Sequence, residues 1–94
     1  MNVKIFQKEN SEFIFEKKPQ SIEEVQKNFK IVDDRKFYFK ENVLTNETSI
    51  LEHIYMIYNV EHPQGYKGRS LSCGDVVSID GEMFFCAKFG WEKI

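Results

Sequence analysis

Proline and cysteine are scarce in this chain: two of each among 94 residues, with one tryptophan and five glycines. So few cysteines exclude a disulfide framework, and so little proline and glycine excludes a collagenous or low-complexity chain. No apolar run approaches the roughly 18 residues of a membrane span, so no membrane association is expected. Met1-Asn2-Val3-Lys4-Ile5-Phe6 lacks the long apolar region of a signal peptide. A reducing cytoplasm is therefore expected, with Cys73 and Cys86 as free thiols. Excess positive charge is lacking too. Thirteen Lys and Arg face fifteen Asp and Glu, for a net charge of −2, which argues against a dedicated duplex-DNA binder. Ligand-spaced pairs are missing as well. His53, His62, Cys73 and Cys86 are scattered, whereas a structural zinc needs about four suitably spaced ligands. Neither a metal nor a cofactor is expected. No phosphate-loop signature, nucleophile motif or paired acid and base stands out, so no catalytic residue is assigned and an enzyme is not expected.

What the chain does have is a globular balance, 41% apolar and 30% charged. Its length fits one domain over residues 1–94. Nine phenylalanines supply large buried area for a thin core. Ser21-Ile22-Glu23-Glu24 is a capping box, followed by Val25 and Phe29 at helical spacing, which predicts a helix over 21–29. Ser49-Ile50-Leu51-Glu52 repeats the box and predicts a second helix over 49–59. Pro63 disfavours helical geometry at His62, so that helix stops before it. Val3–Phe6 and Glu12–Phe15 read as short strands, and Ile31-Val32 with Lys36–Phe39 suggests more. Asp75–Ile79 and Glu82–Phe89 flank Asp80-Gly81, a two-residue hairpin signal in which both turn positions favour positive φ. The order β-β-α-β-α-β-β predicts an α+β domain with two short helices on a mainly antiparallel sheet. Sheet order is not readable from this pattern.

Tyr58-Asn59, His62-Pro63, Tyr66-Lys67-Gly68-Arg69-Ser70-Leu71-Ser72, Gly74-Asp75-Val76-Val77 and Phe89-Gly90-Trp91 follow one another in the second half. Together with Lys4-Ile5-Phe6-Gln7 and the Leu51–Tyr55 helix, they resemble the YodL-like domain across nearly the whole chain. Several members carry His where this chain has Arg69, and Val where it has Cys73. The resemblance implies a small bacterial domain, free-standing or within proteins of conjugative elements and phages. It implies no enzymatic activity. The expectation is a non-enzymatic accessory domain of a mobile genetic element. It would bind a host or element protein, with inhibition of a host system as one outcome. The alternative is a nucleic-acid-binding module using the glycine-rich Lys67/Arg69 loop.

Tyr66 to Asp75 is the densest polar segment and the candidate binding surface: Tyr66, Lys67, Arg69, Ser70, Ser72 and Asp75, with Trp91 as a neighbour. Ser70, Ser72 and backbone amides near Gly68 and Gly74 could cradle an anion beside Lys67 and Arg69. The plainer reading is that Gly74-Asp75 turns the chain into the next strand, while Ser70 and Ser72 satisfy buried backbone groups. Lys67 and Arg69, taken as exposed charges, are expected to add little to stability. Leu71 is expected to pin the loop to the core, and His62 to hold it by hydrogen bonding. Phe37 and Phe39 could form a stacking platform for single strands; alternation places them together on one face and Tyr38 on the other, and the plainer reading puts the pair in the core, since a domain this small needs such anchors. Trp91 either staples the C-terminus to the sheet or serves as an interface anchor.

Overall fold

A computed structural model describes residues 1–8, 17–39 and 46–94. β1 (Asn2–Gln7) leads to α1 (Ile22–Asn28), then β2 (Lys30–Lys36), α2 (Glu47–Met56) and a π-helical turn (Ile57–Glu61). The chain ends in β3 (Val76–Ile79), β4 (Glu82–Ala87) and β5 (Gly90–Lys93). The strands form one antiparallel sheet in the order β2-β1-β3-β4-β5. The expected α+β class is correct. The strand expected at Glu12–Phe15 lies outside the described residues.

Strand periodicity sends alternate side chains to opposite faces, and this sheet buries both. Val3, Ile5, Val77 and Phe84 pack with Leu51 and Ile54 of α2, and with Tyr58 and Leu71. Phe6, Val76, Met83 and Phe85 pack with Val25 of α1 and with Phe29. Each helix is short because it covers part of one face. Burying both faces also explains why β3 reads as a nearly continuous apolar run.

The N-caps refine the predicted boundaries. Ser21 Oγ accepts from the Glu24 N–H at 3.2 Å, as the capping box requires. The Glu24 carboxylate reaches one residue further back, to the Gln20 N–H at 2.5 Å. The second helix starts earlier than Ser49. Asn46 is its N-cap and accepts from the Ser49 N–H at 2.8 Å, which puts Ser49 inside the first turn. Its far end differs from the expected 49–59: the α-helix ends at Met56, and the π-helical turn carries the chain through Glu61 to His62, which leaves helical geometry at φ 49°.

Asp80 and Gly81 take φ values of 49° and 90°, the two positive values a tight hairpin between β3 and β4 requires. The strand expected to run to Phe89 instead ends at Ala87, and the chain turns at Lys88-Phe89 into β5. Phe37 and Phe39 stack with centroids 5.5 Å apart, partly buried against the core, while Tyr38 is exposed. Their alternation is as read, although β2 itself ends at Lys36.

Candidate functional site

The Tyr66–Asp75 loop enters β3 through a turn built on Gly74. The Asp75 N–H donates to the Ser72 carbonyl at 3.1 Å, with Gly74 at φ 97°, where a side chain would be strained. The Gly74 N–H donates to the Cys86 carbonyl at 2.8 Å, and the Cys86 N–H donates to the Asp75 carbonyl at 2.9 Å. Gly74 and Asp75 thus oppose the single residue Cys86, a bulge that aims Asp75 into the α2 side of the sheet.

Asp75 is fully buried there. Arg69 holds it through two nitrogens, Nη2 to Oδ1 at 2.7 Å and Nη1 to Oδ2 at 2.9 Å. The Gln7 amide at 3.2 Å and the Ser72 N–H at 2.9 Å complete the set on Oδ2. Burial pushes this carboxyl above the usual aspartate range, while Arg69, the Ser72 amide and Gln7 pull it back. The Tyr66 hydroxyl donates to the Arg69 carbonyl at 2.6 Å and accepts from Gln7 at 3.3 Å. Burial, then the charges of Asp75 and Asp33, push its phenol up to about 12. Gly68 lies over this hydroxyl so closely that an added Cβ would sit 2.4 Å from it.

A second network continues the first. The Tyr58 hydroxyl donates to Asp33 in a short hydrogen bond, and Asp33 also pairs with Arg35 at 2.6 Å. The Tyr58 and Tyr66 rings meet edge to face at 4.9 Å, so the two clusters share one wall. Burial, then the Asp33 hydrogen bond, holds the Tyr58 phenol far above its ordinary value.

The residues expected at the site therefore divide. Tyr66, Arg69, Ser72 and Asp75 converge on one inward-facing network. The expectation that Arg69 adds little to stability is corrected: its guanidinium offsets a buried carboxylate. Ser72 Oγ accepts from Arg69 at 3.0 Å, and Ser70 Oγ meets His62 Nε2 at 3.0 Å. Both hydroxyls bond side chains rather than the buried backbone groups expected, and His62 holds the loop as read. Leu71 is buried in the core, again as read. Lys67 stays exposed.

Trp91 lies apart from the network, on β5, with its ring edge-on to Tyr55 at 6.3 Å. It lines a groove of about 160 Å³ with Glu52, Tyr55, Cys73, Lys88 and Gly90. Cys73 is the point where the candidate loop reaches that groove. Phe89, at the tip of the β4–β5 turn, is 92% exposed. Sequence reading missed Gln7, Tyr55 and Phe89. Phe89 had a local signal, an aromatic beside Gly90, but it was assigned to a strand. Gln7 and Tyr55 carry no local signal, because their partners lie far along the chain.

Among the described residues, no group of three or more His, Cys, Asp and Glu side chains is placed to hold a metal ion. No helix among them is long and apolar enough to cross a membrane. The family model for the YodL-like domain matches residues 2–94, and the chain belongs to that family. No curated protein and no solved structure matches it.

Proposed function

We propose that this YodL-like domain is a non-enzymatic accessory module that binds another protein through the Trp91 groove and the exposed Phe89 beside it. The observation that carries this reading is the division of labour around the loop. Its polar groups bond one another and make a rigid wall, while a large apolar ring stands in solvent at the adjoining turn. Exposed aromatics beside a groove with a Tyr–Trp pair have the composition of interface anchors. The partner is a protein segment that offers apolar surface to Phe89 and polar groups to Glu52 and Lys88. Residence in the bacterial cytoplasm, origin in a mobile element and action on a host or element protein belong to the same proposal and rest on the family resemblance. Inhibition of a host system is one form such binding takes.

Nucleic-acid binding is the second reading. It draws on Lys67, Lys88 and the exposed Tyr38. It is the weaker one because the Arg69 guanidinium already serves Asp75 and the Phe37–Phe39 pair packs inward. The two readings part in an affinity capture from the native host, run with nuclease and at high salt. Protein binding predicts a protein retained by the wild-type chain and lost with Phe89→Ala, whose thermal midpoint stays that of wild type. Nucleic acid that dissociates steeply as salt rises supports the second reading. A protein retained equally by Phe89→Ala and Trp91→Ala overturns the assignment of the surface.

A further inference from the structure

Two thiols line the Trp91 groove. The Gly74 bulge fixes Cys73 beside β4, through the backbone bonds from Gly74 to Cys86 and from Cys86 to Asp75. The Cys73 thiol donates to the Ala87 carbonyl at 3.4 Å. Both residues are free thiols lining the same groove. Cys73 is partly exposed and Cys86 is buried. One sulfur is thus open to an incoming reagent, and the second waits behind it. The bulge sets the two residues beside each other across the strand pair, and rotation about their Cα–Cβ bonds would bring the sulfurs to the disulfide bond length of about 2.05 Å.

We infer that Cys73 and Cys86 form an oxidisable dithiol, which takes a low-molecular-weight disulfide as its oxidant and closes to a disulfide across the groove floor. In the first step the Cys73 thiol loses its proton and its sulfur attacks one sulfur of the reagent. The reagent's S–S bond breaks, and its other half leaves as a thiolate that takes up a proton. In the second step Cys86 loses its proton and attacks the Cys73 sulfur, expelling the second half as a thiol. Two protein thiols are oxidised and one reagent disulfide is reduced to two thiols.

The site imposes an order on these steps. Burial, then the neighbouring Cys73, pushes the Cys86 thiol up to about 12, so its thiolate is scarce at neutral pH. The adduct therefore forms at Cys73 first, and closure follows more slowly. The closed bridge is also slow to reduce. Attack at the accessible Cys73 sulfur must expel Cys86, a poor leaving thiolate, and the better leaving group requires attack at the buried Cys86 sulfur. Neither step needs the proposed protein partner, so this inference and that function fail separately.

The test is a time course of the reduced full-length chain with glutathione disulfide at pH 8, quenched with a thiol-blocking reagent and read by intact mass and peptide mapping. A transient single glutathione adduct on Cys73 is expected first. It gives way to a chain lighter than the reduced form by two hydrogens, with a mapped link between Cys73 and Cys86. Cys86→Ala should stop at the stable adduct. Cys73→Ser, at the partly exposed turn, should slow thiol consumption by at least about tenfold. The inference is overturned if the wild-type adduct persists without closing, if each cysteine takes glutathione independently, or if neither reacts. Peptide mapping of the wild-type chain decides the matter even where a variant folds poorly.

Discussion

Asp75 has no exposed surface, so everything water would have offered its carboxylate must come from the protein. Four groups do this: the two Arg69 nitrogens, the Gln7 amide and the Ser72 N–H. Removing Arg69 leaves the carboxylate buried without its counter-charge, which for a buried pair costs about 3–5 kcal/mol. The Arg69 side chain is 34% exposed, so water entering the vacated space lowers that figure to about 2–3 kcal/mol. Lys67→Ala, at an exposed position with no bearing on Asp75, should stay within about 0.5 kcal/mol of wild type. Urea midpoints of Arg69→Ala and Lys67→Ala test the contrast, and equal losses would mean that the Arg69–Asp75 pair holds nothing in place. Leu71 supplies the apolar half of the same anchor. At 1% exposure, Leu71→Ala should cost about 2–4 kcal/mol on the same scale, through lost burial and the cavity left behind.

At the scale of elements, turns decide the fold more than strands do. The Asp80-Gly81 pair places β3 against β4, and the Asp80 carboxylate also accepts from the Asn2 N–H at 2.7 Å, tying the hairpin to β1. Gly81→Val puts a β-branched residue at φ 90° and should cost at least about 1–2 kcal/mol by denaturant titration. A loss below about 0.5 kcal/mol would show that the turn relaxes to another type. This hairpin was legible in the sequence because both turn residues carry their own backbone preference. The Ser21 cap was legible for the same reason. β5 was not: Gly90-Trp91-Glu92-Lys93 has little strand pattern of its own, and pairing with β4 imposes its extension. The Ser49 box is a stronger local signal than Asn46, although the earlier cap gains a further turn. The Tyr66–Asp75 loop was recognisable as one unit from its hydroxyls, cations and glycines. Its inward direction was not, since the Arg69–Asp75 pair exists only after the Gly74 turn has folded one onto the other.

The molecule as a whole buries weak acids in their protonated form, and this fixes how its stability responds to alkali. Tyr66 donates its proton to the Arg69 carbonyl, Tyr58 donates to Asp33, and Cys86 lies in the α2 side of the sheet. Burial is the first cause in all three, raising Tyr66 and Cys86 to about 12 and Tyr58 further. In the unfolded chain these groups titrate near their ordinary values, about 8.5 for cysteine and 10 for tyrosine. Between those values and the folded ones, the native state binds more protons than the unfolded state. The stability they contribute is therefore fully present below about pH 8.5 and is lost as pH rises toward 12. Urea midpoints measured from pH 7 to 11 should be nearly level at first and then fall. Tyr66→Phe removes one buried proton without emptying the site, so it should start lower, having lost the bond to Arg69, and decline less steeply above pH 10. A Tyr66→Phe curve parallel to wild type up to pH 11 would mean that the Tyr66 proton is not held by the fold. The closed network around Asp75 would then lack its Tyr66 member.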